Sequence, residues 1–203
     1  MHSFKRFMYI SVHMYDTARG AGRSSRDLVD AEGILRRVGL KREQVLLDAG
    51  CGDGYWSVAA SRLVGPKGKV WAADIHRPAL DALTREIFVK GLRNIHPLLA
   101  DVTQTIPVAT SSVDVAVMVN VLHDLNEEGG AASALTEMAR LIKPEGLLLI
   151  VEFMVTEGPP GPPVEIRLAP QKVEEFCRAA GFQLSERFDA GQFNYAIVFM
   201  NGQ

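Results

Sequence analysis

The amino-acid sequence predicts an α/β fold. It is a doubly wound, mostly parallel sheet of seven strands, with helices on both faces and one antiparallel strand near the C-terminal end. Three observations predict it. Short apolar runs alternate with segments of helical period. The runs are near-continuous, as in strands buried on both faces of a parallel sheet, and right-handed crossovers between such strands put helices on each side. The last two runs are separated by a tight turn, which makes them an antiparallel hairpin.

Each element has its own signal. Residues 1–24 show no clean period and end in Gly20-Ala21-Gly22-Arg23, a flexible arm ahead of a core at 25–203. Ser25 is placed to cap a helix whose stripe is Leu28, Ala31, Leu35 and Val38, with Gly39 as its stop. Val45-Leu46-Leu47 is a strand that breaks at Asp48, and glycines follow at 50, 52 and 54. Tyr55 to Leu63 reads as helix, and Val70 to Ala73 as a second strand ending in Asp74. Pro78 suits a first helical turn, with Leu80, Leu83 and Ile87 as the stripe behind it. Residues 94–99 make a third strand before Asp101, and Val113 to Val119 a fourth ending at Asn120. Leu135, Met138 and Ile142 stripe a helix stopped by Pro144, and Leu147 to Val151 is a fifth strand ending at Glu152.

A loop with Pro159, Pro160, Pro162 and Pro163 then leads to a helix carrying Val173, Phe176, Cys177 and Ala180 on one face, ended by Gly181. That helix begins at Ala169-Pro170 with no Ser, Thr or Asp cap, which costs about 1 kcal/mol and leaves this entrance loose. The hairpin strands lie near 182–188 and 193–200, around Asp189-Ala190-Gly191. There is no internal repeat and no linker, so residues 1–203 read as one domain.

The composition of the 203 residues is ordinary, at 47% hydrophobic and 23% charged. That excludes gross disorder, collagen and coiled coil. No apolar run reaches the roughly 18 residues of a membrane span. A net charge of −2 argues against a general nucleic-acid binder. The charge is uneven. Residues 1–42 hold nine Lys or Arg against four acids, either a solvated face or a basic flap over an anionic ligand. Cys51 and Cys177 each lack a CxxC partner, so no disulfide framework, metal site or dithiol motif is expected, and Cys177 reads as core. The N-terminus has no continuous apolar stretch of signal-peptide length. A transit peptide is the alternative to a cytoplasmic location.

The polar strand ends carry the functional signal. Asp48, Asp74, Asp101, Asn120 and Glu152 fall at the carboxyl ends of five parallel strands, where open α/β sheets bind ligands. One alone would merely begin a solvated loop. The first is followed by Gly50-Cys51-Gly52-Asp53-Gly54, whose glycines let backbone approach a ligand, and by a helix N-terminus. The spacing is G-x-G-x-G and not the G-x-G-x-x-G of dinucleotide sites, which argues against a pyrophosphate crossing this turn.

The stretch from Val45 to Gly54 resembles motif I of the class I S-adenosylmethionine-dependent methyltransferases. The resemblance continues through Asp74, Asp101-Val102, Val113-Asp114-Val115-Ala116, Leu122-His123-Asp124-Leu125 and Leu141 to Leu147, over roughly residues 25–200. The subgroup it looks most like is that of the small quinone-biosynthesis C-methyltransferases, which Arg167-Leu168-Ala169-Pro170 through Ala180-Gly181-Phe182 also fit. The resemblance implies a Rossmann-like fold, S-adenosyl-L-methionine as cofactor, and roles for matching positions. Asp48 and Gly50 would face the methionine part, with Cys51, Gly52 and Gly54 curving around it. Asp74, with Ile75 beside it, would take the ribose hydroxyls, because a carboxylate is acceptor-only. Asp101 and Val102 would bind adenine, and backbone at Asn120 or Val121 the amino group.

A methyl on a sulfonium is already activated, so alignment for in-line displacement supplies much of the rate. A base is needed only if the acceptor loses a proton. His123, after the fourth strand, is the candidate, with a structural histidine as the alternative. Asp124 reads as a helix cap, with Asn126 competing for that place. Glu152 and Arg167 read as a surface pair or as an anchor for a polar acceptor, and His13 and Tyr15 on the arm could close over the site. Val121-Leu122 replaces the Pro-Pro of amino-methylating nucleic-acid enzymes, and the cysteine trio of arsenite methyltransferases is missing. The expected partner is therefore a small-molecule acceptor, with no nucleic acid and no membrane span; neither monomer nor oligomer is favoured. A nicotinamide-dependent reductase and a catalytically silent S-adenosylmethionine-binding protein are the competing functions.

Overall fold

The computed structural model describes residues 25–202. The arm at 1–24, with His13 and Tyr15, lies outside the described residues. The elements run α1 (Ala31–Arg37), β1 (Val45–Ala49), α2 (Tyr55–Val64), β2 (Lys69–Asp74), α3 (Arg77–Lys90), β3 (Ile95–Leu99), β4 (Val113–Val119), α4 (Leu122–Glu127), α5 (Ala131–Leu141), β5 (Ile142–Phe153), a 3₁₀ turn (Val164–Ile166), α6 (Pro170–Ala179), β6 (Phe182–Asp189) and β7 (Asn194–Asn201). The sheet has seven strands in the order β3-β2-β1-β4-β5-β7-β6. Only β7 is antiparallel to its neighbours, and it lies between β5 and β6, so the hairpin folds inward instead of adding its last strand at the edge.

Side chains alternate along each strand and feed two cores. Leu46, Val115, Val117, Leu149, Val151 and Val198 pack under α1, α2 and α3. Leu47, Ala116, Met118, Leu148, Ile150 and Phe199 pack under α5 and α6. Each such buried aliphatic or aromatic side chain contributes about 1.5–3 kcal/mol. This two-sided burial is why the strands read as unbroken apolar runs.

Three local expectations are corrected. Ser25 does not cap α1; its Oγ accepts from Trp56 Nε1 at 3.0 Å. The cap is Asp30, whose Oδ1 accepts from Gly33 N at 3.0 Å. Pro144 does not stop α5. The helix ends at Leu141, because Ile142 turns extended and pairs with Val113; Pro144 then sits in the irregularity before Leu147 pairs with Val115. Such bulges tolerate proline. Ala169 is an uncapped N-cap, as the sequence indicates, but its approach is tied down: Tyr195 Oη donates to Leu168 O at 2.6 Å.

Among the described residues, no helix is long and apolar enough to cross a membrane.

Candidate active site

The chain leaves β1 toward β2 and β3 on one side and returns to β4 on the other. The crevice at this switch point is where the polar strand ends converge. Asp48 lies within β1, 2% exposed, and accepts from Ser57 Oγ at 2.6 Å. The loop behind it is held from β2, since Gly50 N and Cys51 N both donate to Ala73 O, at 2.8 and 3.0 Å. Gly50 has φ +81°, and a Cβ there would lie 2.5 Å from Val121 Cγ2. Gly54 also has φ +81°, and a Cβ there would meet Leu83 Cδ1 at 2.3 Å. Close packing as well as conformation therefore excludes side chains from this turn.

Asp74 closes the loop. Its Oδ2 accepts from Gly52 N at 2.8 Å and its Oδ1 from His76 N at 2.7 Å. A carboxylate has about four acceptor positions, so capacity remains for hydroxyl donors. Ile75 follows, half-buried. At the end of β3, Asp101 Oδ1 accepts from Thr103 N at 2.8 Å and Thr103 Oγ1 at 2.7 Å, and Val102 is buried.

Three carboxyl groups lie at the loop, and Arg26 approaches that of Asp53 at 3.5 Å. Burial raises the Asp48 carboxyl to about 7, against the Ser57 hydrogen bond, and the charges of Asp74 and Asp53 push it the same way. Burial raises the Cys51 thiol well above its ordinary value, so it stays protonated and packs as a small hydrophobe. A ligand carrying a sulfonium and an ammonium would be drawn in here.

Across the crevice, Asn120 follows β4 in the left-handed region, with φ +54°. Its N–H donates to Val151 O at 2.8 Å, and its Oδ1 accepts from Asn194 Nδ2 at 2.9 Å. Asn194 is wholly buried and its own Oδ1 has no partner, an orphan acceptor suited to a donor from a ligand. No sequence signal pointed to Asn194, because it reaches Asn120 across 74 residues.

His123 is 4% exposed. Its Nδ1 lies 2.7 Å from Glu152 Oε2, and its backbone N–H donates to Glu152 Oε1 at 3.2 Å. Glu152 thus serves the start of α4, where Val121 offers no side-chain cap, and fixes the imidazole. Burial lowers the imidazole pKa, but the hydrogen bond and charge of Glu152, with Asp124, outweigh it and leave it raised. With Nδ1 engaged, Nε2 is the nitrogen left for proton uptake. Asp124 is not the cap; it lies in the first turn of α4, with Oδ1 3.6 Å from His123 Nε2.

Glu152 and Arg167 are not a surface pair. Glu152 is fully buried against His123, and Arg167 is 8% exposed. Nor is Arg167 free to anchor an acceptor: its five N–H groups reach the carbonyls of Met154, Thr156, Gly158, Pro160 and Pro162 at 2.7–3.2 Å.

The chain is similar in sequence and fold to known methyltransferases. Residues 46–146 match the family described as "Methyltransferase domain". A demethylmenaquinone methyltransferase of Geobacillus stearothermophilus is 28% identical over 146 residues, covering 72% of this chain and 60% of that protein. A ubiquinone/menaquinone biosynthesis C-methyltransferase of Hahella chejuensis is 29% identical over 125 residues, covering 62% and 49%. The chain thus spans about 60% or less of the length of these curated relatives. The crystal structure of a SAM-dependent methyltransferase from Aquifex aeolicus superposes with a TM-score of 0.81 at 28% identity, covering 92% of this chain and 97% of that one.

Proposed function

The chain carries a domain of the class I S-adenosylmethionine-dependent methyltransferases, and on that premise we propose that it methylates a small-molecule acceptor by in-line displacement, with His123 taking the acceptor's proton. The observation that carries this is the glycine loop itself, whose G-x-G-x-G turn is tied to β2 by Asp74, with Asp48 buried behind it. Its spacing differs from the G-x-G-x-x-G of dinucleotide sites, which weighs against the nicotinamide reductase. When bound, S-adenosylmethionine supplies a methyl group already activated on sulfur. Asp74 would hold the ribose hydroxyls, the glycine loop and Asn120 the methionine part, and Asp101 with Val102 the adenine. His123 Nε2 would hold the acceptor's proton, with the Glu152 carboxylate stabilising the imidazolium.

An acceptor ring bearing an acidic hydroxyl, as in a demethylated quinol, makes use of such a base. The names of the relatives at 28–29% identity support that class. The two unpaired, buried thiols suit a reducing compartment, and we take the cytoplasm as its location.

The test is transfer of labelled methyl from S-adenosylmethionine to a dithionite-reduced demethylmenaquinone with a short side chain. Label in the quinol supports the proposal. Tight cofactor binding with no label in that quinol or in a panel of phenols would favour the silent binding protein instead.

A further inference from the structure

Arg167 is a buried cation that forms no ion pair among the described residues. Its partners are five backbone carbonyls, taken from every second residue between 154 and 162. The reason lies in the loop's sequence. Pro159, Pro160, Pro162 and Pro163 have no N–H, so the loop cannot satisfy its own carbonyls through a ladder. One guanidinium supplies the missing donors in a planar fork that lysine cannot reproduce. The loop springs from the carboxyl end of β5, directly after Glu152 and Phe153, on the β4–β5 side of the crevice.

Phe153 joins this loop to the imidazole. The Arg167 guanidinium lies 5.6 Å from its ring centroid. A Cβ on Gly161 (φ +107°) would be 2.8 Å from its Cδ1, so the loop backbone lies against the ring. The Phe153 and His123 rings meet edge to face, 6.2 Å between centroids and 70° between planes. The path Arg167, loop, Phe153, His123 is therefore continuous and buried at three of its four points.

We propose that Arg167 is a positioning residue. It shapes residues 154–166 into the acceptor-side wall of the site and, through Phe153, holds the His123 ring in place. Only the identification of that wall with an acceptor rests on the methyl-transfer reading; the hold on His123 does not.

Two variants test it, Arg167→Lys, which keeps the charge but not the fork, and Gly161→Ala, which presses on Phe153 and leaves Arg167 intact. S-adenosylmethionine affinity by calorimetry should stay within about twofold of wild type in both, since neither touches the cofactor half. The ring-proton signals of His123 in NMR spectra, which feel the Phe153 ring, should move in both. With reduced 1,4-naphthoquinone as acceptor, kcat/KM should fall roughly 10- to 100-fold, mainly in acceptor KM for Gly161→Ala. A purely stabilising role would lower Tm and leave the His123 signals and the acceptor KM of the folded protein unchanged. Unmoved His123 signals in folded Gly161→Ala overturn the proposal. If the wild-type chain transfers no methyl to the naphthoquinol, the methyl-transfer reading has failed for that acceptor, and the His123 signals still decide the role of Arg167.

Discussion

The two halves of the crevice are built differently. The β1–β2 half is built on backbone and short-range side chains: a turn with glycines at φ +81°, +52° and +81°, tied to β2 by Ala73 O and Asp74. The β4–β5 half is built on side chains that meet over long separations, His123 with Glu152 across 29 residues and Asn120 with Asn194 across 74. The first half is closely constrained, because a Cβ on Gly50 or Gly54 would strike Val121 or Leu83. The second half can be retuned one residue at a time.

If the halves are separable, variants in one should spare the other. The largest effect belongs to Gly50→Val. The side chain would strike Val121 and strain a left-handed residue, so S-adenosylmethionine binding should be lost by calorimetry. Retained binding in this variant would show that the turn is only structural.

Next in size is His123→Ala, which should lower kcat by roughly 10²-fold or more and leave cofactor affinity nearly unchanged. The pH profile sharpens this. The raised imidazole pKa means that the neutral base forms only as pH climbs past a point above 6.5, so wild-type kcat should rise through that point. Glu152→Gln removes the group that raises it, and should move this limb to lower pH. Full kcat in His123→Ala would return the histidine to a structural role.

Asp74→Ala should weaken S-adenosylmethionine by at least about tenfold, because hydrogen bonds to a charged acceptor contribute about 1.5–3 kcal/mol each. Turnover at saturating cofactor should change far less.

The smallest effect concerns Asp48. Its pKa is about 7 in the fold against 3.8 as the ordinary value, so the unfolded chain releases this proton first. Stability of the free protein should therefore fall as pH rises from about 4 to about 7. Cofactor affinity should rise through pH 7 as the carboxylate forms. Asp48→Asn should flatten both slopes, as followed by Tm and by calorimetry across pH.

The two halves also differ in how far sequence exposes them. Asp48, the glycines and Asp74 are legible because they lie within 27 residues and their types carry the physics. Strands were legible because burial on both faces makes them uniformly apolar. His123 stood out as a titratable group at a strand end. The pairing of Glu152 with it is not legible, because a glutamate ending β5 looks the same whether it faces water or an imidazole. Arg167 was misread for the same reason: its partners are backbone carbonyls, which no residue type announces. The start of α1 and the end of α5 were set by tertiary contacts, Ser25 by Trp56 and Ile142 by its pairing with Val113.

The central claim is that the glycine loop and its carboxylates select a cation. Parallel calorimetric titrations with S-adenosylmethionine and NADH at pH 8 test it most directly. The account predicts saturable binding of S-adenosylmethionine, weakened at least tenfold in Asp74→Ala, and no heat of binding from NADH. NADH binding as tightly as S-adenosylmethionine, or better, would contradict it.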